Sequence, residues 1–191
     1  MIKVLMISAL TLFSGAVAKD AKVDVKESTV KWVGKKVTGQ HNGSIQLQGG
    51  RLEMDAKGNL TGGLFTIDMT TLSNSDLSGE SKGKLEGHLK SDDFFGVATY
   101  PTATFVITKA VPQGPGKYKV IGNITIKGKT EEIQFPVSVV AKDGKVTATA
   151  DVSIDRSKFD IRYGSGSFFD NLGDKTIYDN FDLSVSLVAN M

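Results

Sequence analysis

The chain has 191 residues, no cysteine, 40% hydrophobic and 23% charged residues, and 21 glycines against four prolines. The missing cysteines exclude a disulfide-stapled miniprotein, a thiol enzyme, a cysteine-ligated zinc site and an iron–sulfur centre, while the length suits one domain that buries a core without staples. A net charge of +2, from 23 basic and 21 acidic residues, leaves no electrostatic footprint for nucleic acid.

Residues 1–18 read as a secretory signal peptide. Lys3 makes a short basic start, Val4 to Val17 is mainly apolar, and Ala16-Val17-Ala18 is a small-x-small cleavage pattern. The apolar run is shorter than the ~20 residues that span a bilayer, and no cysteine follows it to accept a lipid anchor. The expectation is cleavage after Ala18, leaving residues 19–191 as one exported, periplasmic domain.

Beyond this point the sequence alternates. Thr29 to Val37, Ser44 to Gln48, Arg51 to Asp55, Leu60 to Thr70 and Ala103 to Lys109 are strand candidates, separated by Gln40-His41-Asn42-Gly43, Gly49-Gly50 and Lys57-Gly58-Asn59. Ser81 to Lys90 breaks the rhythm and suits a short helix despite two glycines; Ser91-Asp92-Asp93-Phe94-Phe95 follows it. The second half is cleaner, with four dry faces: Tyr118, Val120, Gly122, Ile124, Ile126; Ile133, Phe135, Val137, Val139; Val146, Ala148, Ala150, Val152; and Phe181, Leu183, Val185, Leu187. Lys127-Gly128-Lys129 and Lys142-Asp143-Gly144-Lys145 supply turns for an antiparallel meander, and an irregular stretch from Arg156 to Asp179 carries a second pair, Phe168-Phe169. This predicts an all-β fold: a single antiparallel β-barrel of about eight strands, with a short helical segment near residues 81–90. Ser44 to Gln48 and Arg51 to Asp55 can count as one bent strand, and glycines at 34, 62, 63 and 122 suit the bends of a closing sheet. The Phe-Phe pairs suit a barrel end, either as plug or as ligand entrance.

Chemistry is sparse. His41 and His88 are the chain's two histidines, neither in a metal-ligand spacing, and Gly164-Ser165-Gly166-Ser167 is too short a match to a nucleophile elbow. Asp92, Asp93, Asp170 and Asp174 lack calcium-loop spacing. A barrel of this size either fills with side chains or holds one small ligand. Small Val146, Ala148 and Ala150 against large Trp32, Phe65, Phe105 and Phe135 leave both outcomes open.

Three segments resemble the YceI-like family. Leu85-x-x-His88-Leu89-Lys90-Ser91-Asp92-Asp93-Phe94-Phe95 followed by Tyr100-Pro101-Thr102-Ala103-Thr104-Phe105 is similar to the family's helix-to-strand segment. Val120-Ile121-Gly122-Asn123-Ile124-Thr125-Ile126-Lys127-Gly128-Lys129-Thr130 is similar to its hairpin, and Asp155-Arg156-Ser157-Lys158-Phe159-Asp160-Ile161 to its Asn-Arg turn. Asp155 stands where Asn is usual in that family and Asp160 where Gly is common. Lys31-Trp32-Val33-Gly34-Lys35-Lys36-Val37, with Gly39-Gln40-His41-Asn42-Gly43, looks like one branch of it.

The resemblance implies a lipocalin-like barrel in the periplasm, a binding protein rather than an enzyme. It would hold a long-chain isoprenoid lipid, polyprenyl phosphate or isoprenoid quinone, with no cofactor besides. On that reading Trp32, Phe65, Phe105, Ile107, Val120, Ile124, Phe135, Val137, Val146 and Phe181 line the apolar interior. Lys36, His41, Phe94, Phe95, Arg162, Phe168 and Phe169 form the mouth, with Lys35 and Arg156 as further cations for a head group. Loading from a bilayer implies transient membrane contact, and an exposed Phe-Phe loop suits a homodimer. Two other readings stand beside it. One is an outer-membrane β-barrel, which needs an outward apolar band. The other is a lipid hydrolase or isomerase with His88 or His41 as base and Asp92 or Asp93 as its partner.

Overall fold

The computed structural model describes residues 19–191; the expected signal peptide lies outside the described residues. The period-two segments form nine strands: β1 (Lys19–Val23), β2 (Thr29–Lys36), β3 (Gly39–Met54), β4 (Leu60–Asn74), β5 (Thr102–Gly114), β6 (Lys117–Ile126), β7 (Lys129–Lys142), β8 (Lys145–Asp155) and β9 (Ile177–Asn190). One helix, α1 (Gly79–Lys90), lies between β4 and β5. Strands β2 to β9 pair antiparallel with their neighbours in sequence, and β9 returns to β2. The result is the expected antiparallel barrel of eight staves, apolar inside because alternate residues share one face.

The first stave is composite. β2 pairs with the start of β3 and with β9 from Ile177 to Ser186, whereas β1 pairs with Arg51–Met54 of β3 and with Ala189 and Asn190 of β9. The two strands therefore occupy one position in the ring at different heights. Between them Asp24 turns the chain, its carboxylate accepting from the amides of Lys26 (3.0 Å) and Glu27 (3.2 Å).

Three segments depart from the sequence reading. β1, with Ala21 and Val23 buried, was not foreseen. Gln40–Gly43 and Gly49–Gly50 are not loops: β3 runs unbroken through both, the turn falls at Val37–Thr38, and the glycines serve register shifts near Ser44 and Leu47. β4 continues past Thr70 to Asn74 and adds the buried Leu72.

The registers define two ends. At one end Leu52, Met54, Leu60, Tyr118, Val120, Val146 and Ala189 are buried together, and the Tyr118 hydroxyl accepts from the Leu60 amide (3.3 Å). The other end carries α1 and a 3-10 turn, Arg156–Phe159. Toward this end the wall parts: β7 and β8 pair only from Ser138↔Thr149 to Lys142↔Lys145, so β7 before Ser138 pairs with β6 alone, and β8 after Thr149 with β9 alone. Pro136, which has no amide hydrogen to leave unpaired, stands beside this slit.

Candidate functional site

The half of the barrel beneath α1 encloses a cavity of about 180 Å³ whose surface is almost wholly apolar. Val30 and Trp32 of β2, Ile45 of β3, Ile67, Met69 and Leu72 of β4, Ala103 of β5, Ile124 and Ile126 of β6, Ile154 of β8, and Phe181 and Leu183 of β9 form its wall. Leu85, His88 and Leu89 of α1, with Phe94 and Phe95 just after it, form its cover, and Lys35, Lys36, His41, Arg156, Ile177, Tyr178 and Asn180 stand at the rim. A groove adjoins it, sharing Lys36 and Ile177 and adding Asp92, Asp93, Lys127, Asp160, Arg162, Tyr163, Phe169, Leu172, Asp174 and Lys175.

Glycines let large rings lie flat against the wall. A Cβ at Gly43 would come within 2.7 Å of the Trp32 ring, and one at Gly122 within 2.6 Å of the Phe105 ring, so any side chain there would push the ring inward. The Trp32 indole N–H donates to the Ser73 carbonyl (3.2 Å) and is thereby satisfied although the residue is buried. Farther from the mouth, Phe65, Phe105 and Phe135 form a row, with centroids 6.4 and 5.4 Å apart.

Arg156 is 2% exposed. It donates to three backbone carbonyls, those of Ile161 (2.7 Å), Ile177 (2.9 Å) and Tyr178 (3.2 Å), lies 3.5 Å from Asp179, and sets its guanidinium 5.4 Å from the Phe94 ring centroid. Burial lowers its pKa, while Asp179 and Asp155 act to raise it. This cation ties the 156–161 turn to the start of β9, and its donors are committed to that task.

A second polar cluster fastens α1 to the rim. Glu86 accepts from the Ser73 hydroxyl (3.0 Å) and the Asn74 amide (2.7 Å). Asp76 accepts from the Asn42 amide (2.8 Å) and the Asn74 side chain (2.6 Å), and hydrogen-bonds His41 Nδ1 (2.8 Å). Hydrogen bonding to the charged form lowers both carboxyl pKa values. The Asn42 amide, then His41, brings Asp76 down to about 2, and the Asn74 amide lowers Glu86.

Of the residues expected to line the interior, Trp32, Ile124 and Phe181 border the cavity. Phe65, Phe105, Ile107, Phe135 and Val137 point inward but pack below it, and Val120 and Val146, each 0% exposed, belong to the filled end. Of the expected mouth residues, Lys36, His41, Phe94 and Phe95 border the cavity. Arg162 and Phe169 line the groove, and Phe168 is exposed, with the Arg162 guanidinium 5.0 Å from its ring centroid. The two Phe-Phe pairs therefore differ: Phe94 and Phe95 are cover, Phe168 and Phe169 are rim surface. Among the further cations, Lys35 pairs with Asp182 (2.8 Å) and Arg156 is structural rather than free for a head group. Sequence reasoning missed Ile45, Met69 and Leu72, which continued alternation through β3 and β4 would have supplied, and it missed His88 as a lining residue. Neither histidine is hydrogen-bonded to Asp92 or Asp93 among the described residues; His41 is bonded to Asp76 instead.

Comparison with known proteins agrees with this architecture. A family model described as "YceI-like domain" matches residues 22–189. A UPF0312 protein of Yersinia pestis (strain Pestoides F) is 30% identical over 138 residues, 68% of this chain and 66% of that protein, so the chain spans slightly less than two thirds of its relative's length. The crystal structure of Burkholderia cenocepacia BcnA superposes with a TM-score of 0.72 at 27% identity, covering 88% of this chain and 99% of that one. A polyisoprenoid binding domain from Saccharophagus degradans has the same fold, with a TM-score of 0.65 at 14% identity over 90% of this chain and 99% of that one.

Proposed function

The chain belongs to the YceI-like family, and from that premise we propose that it is a periplasmic binding protein, not an enzyme, that shelters an isoprenoid lipid for transport, storage or sequestration. The observation that carries this reading is the apolar cavity under α1, inside a barrel whose outer face carries charged and polar residues on β6 and β7, with single exposed valines at 106 and 140. Lys119 and Asn123 on β6 and Glu132 and Gln134 on β7 face away from the interior and are exposed, apart from the apolar partners they alternate with. That is the inverse of an outer-membrane barrel, whose apolar band faces lipid. The Saccharophagus degradans domain, described as polyisoprenoid binding, supports an isoprenoid as the ligand class. The signal-like residues 1–18 support export.

Each CH₂ removed from water is worth about 0.8 kcal/mol, which keeps a lipid bound in an aqueous compartment. A tail arriving from a bilayer is already dry, so its transfer is nearly neutral and the mouth must supply selectivity. A cavity of about 150 Å³ holds one benzene; the one here, about 180 Å³, takes a ring-sized or short branched portion of the ligand, and the rest follows the adjoining groove. Loading then needs transient contact with a membrane. The test is to purify the protein from its native host, extract it with organic solvent and analyse the extract by mass spectrometry. An isoprenoid at near-stoichiometric amount is expected; repeatedly ligand-free preparations that also fail to take up added isoprenoid would overturn the proposal.

A further inference from the structure

The exposed aromatic side chains among the described residues are Tyr100, Tyr163, Phe168, Phe169 and Tyr178, and all of them lie at the cavity end of the barrel. Tyr163 and Phe169 line the groove, and Tyr178 borders the cavity. The Tyr100 ring lies against Gly128 and Gly96, beside Lys127 of the groove. The filled half exposes Val25, Val140 and Met191 and no ring. Exposed apolar residues scattered singly need no explanation, but rings gathered round one opening mark an interaction surface.

The turn that carries Phe168 and Phe169 is anchored. The Ser165 carbonyl accepts from both of their amides (3.2 and 3.1 Å), and Ser165 itself is buried. The Ser167 hydroxyl donates to Asp179 (2.6 Å), and the Gly164 carbonyl accepts from the amide of Ile177 at the start of β9 (2.8 Å). The fold thus holds two phenylalanine rings out in water and forgoes the gain of burying them, a gain that a covering surface restores.

The charges beside these rings indicate what covers them. The groove carries four cations, Lys36, Lys127, Arg162 and Lys175, and four carboxylates, Asp92, Asp93, Asp160 and Asp174. The cores of protein interfaces are depleted of charged residues. A layer of zwitterionic head groups, in contrast, offers a phosphate to each cation and an ammonium to each carboxylate. Tyrosine and phenylalanine set among both signs of charge suit the interfacial zone of a bilayer, where a ring is buried and its polar tip stays wet. Four charges of each sign give no net pull toward anionic lipid.

We propose that the cavity end is a membrane-docking face: the protein sets its mouth against a zwitterionic bilayer, with the Phe168 and Phe169 rings entering the head-group layer. This rests on the lipid-binding reading above and gives it an orientation, since α1 and the cavity it covers then face the membrane.

The test is sedimentation of the protein, purified from its native host, with vesicles of phosphatidylcholine and of phosphatidylcholine mixed with phosphatidylglycerol. Binding to both is expected, differing by less than about threefold between them or with added salt. Phe169→Ser should weaken it about tenfold and Phe168→Ser combined with Phe169→Ser about a hundredfold, on the scale of one partly exposed ring apiece. Val140→Ser, which removes an exposed side chain from the far half, should leave it unchanged. Phe169→Trp keeps a ring, and its added emission should be quenched by phosphatidylcholine brominated in the acyl chains; that of Val140→Trp should not. No binding to phosphatidylcholine, binding that salt abolishes, or equal binding by the wild type and the double variant overturns the docking face. A concentration-dependent dimer that the double substitution dissociates, with no vesicle binding, assigns the face to a second copy instead. Uptake of farnesol from cyclodextrin, followed by fluorescence of Trp32, the chain's single tryptophan, which borders the cavity, separates the two readings. A wild type that takes up farnesol yet ignores vesicles overturns the docking face alone, and one that docks yet takes up none overturns the lipid-binding reading alone.

Discussion

At the scale of single residues, Arg156 and Asp160 show how much one short turn depends on side-chain geometry. Arg156 satisfies three carbonyls from two separate segments with three different nitrogens, a spread that a planar guanidinium spans and the single nitrogen of an ammonium does not. Arg156→Lys is therefore expected to lower stability by about 3 kcal/mol, the scale of a broken buried charge network, read from urea denaturation. Its burial was not legible in the sequence, because an arginine among Ser, Lys and Asp reads as surface and its partners Ile177 and Tyr178 are remote in the chain. Asp160 was more legible. It departs from the glycine common in its family and sits at φ 60°, in the left-handed region. Asp tolerates that region better than most residues but less well than glycine. Asp160→Gly should gain up to about 1 kcal/mol, less whatever the exposed pairing with Arg162 contributes; a loss of stability would show that the pairing with Arg162 and Lys129 matters more than the backbone.

At the scale of elements, α1 is the weakest part of the assembly. It has no buried residue and carries two internal glycines, Gly83 and Gly87. Its polar attachment comes from the Glu86 carboxylate accepting from Ser73 and Asn74 of β4, from the Lys90 ammonium on the Thr70 carbonyl (2.8 Å), and from the adjacent Asp76 cluster, beside the apolar contact of Leu85 and Leu89 over the cavity. Asp76 titrates at about 2 when folded, below the ~3.9 of an unfolded chain. Its contribution is thus fully present above about pH 4 and is lost as the pH falls toward about 2. The urea midpoint of the wild type should drop across that interval more steeply than that of Asp76→Asn, and amide exchange should show the Asn42–Asn74 contacts opening as it does. Parallel slopes would mean that the cluster contributes no pH-dependent stability. The helix itself was legible, starting only two residues earlier than read. Strands from β5 onward were legible too, because Tyr118 to Ile126, Ile121 apart, and Val146 to Val152 alternate. The first half was less so: Lys19–Val23 is too short and too charged to signal a strand, and glycines at 43, 49 and 50 imitate turns when they lie within β3, Gly49 at a register shift and Gly43 and Gly50 against the Trp32 and Phe65 rings.

At the scale of the whole molecule, the first stave pairs with the last, so the ring closes only when residues about 150 positions apart meet, a topology of the slow-folding, non-local kind. Function depends on the unfilled space that the closed ring retains. Ala103 is buried in the cavity wall, and Ala103→Leu is expected to fill much of the space, raising stability by about 0.5–2 kcal/mol as cavity filling does and abolishing ligand co-purification. Unchanged uptake of ligand would place the binding site elsewhere. How much of the interior is filled was the part the sequence left undecided. Alternation tells which residues point inward, but Val120 and Trp32 look alike in that respect, and only the registers put one in the packed end and the other at the cavity.

The short pairing between β7 and β8 bears on how the barrel yields under load. A ring under tension parts at its weakest joint, and every other seam of this one is held over a longer stretch of ladder. Pulled from opposite sides in a force spectrometer, or pried apart by a denaturant, the wall unzips from the slit beside Pro136 downward, opening into a curved sheet whose two rims are β7 and β8.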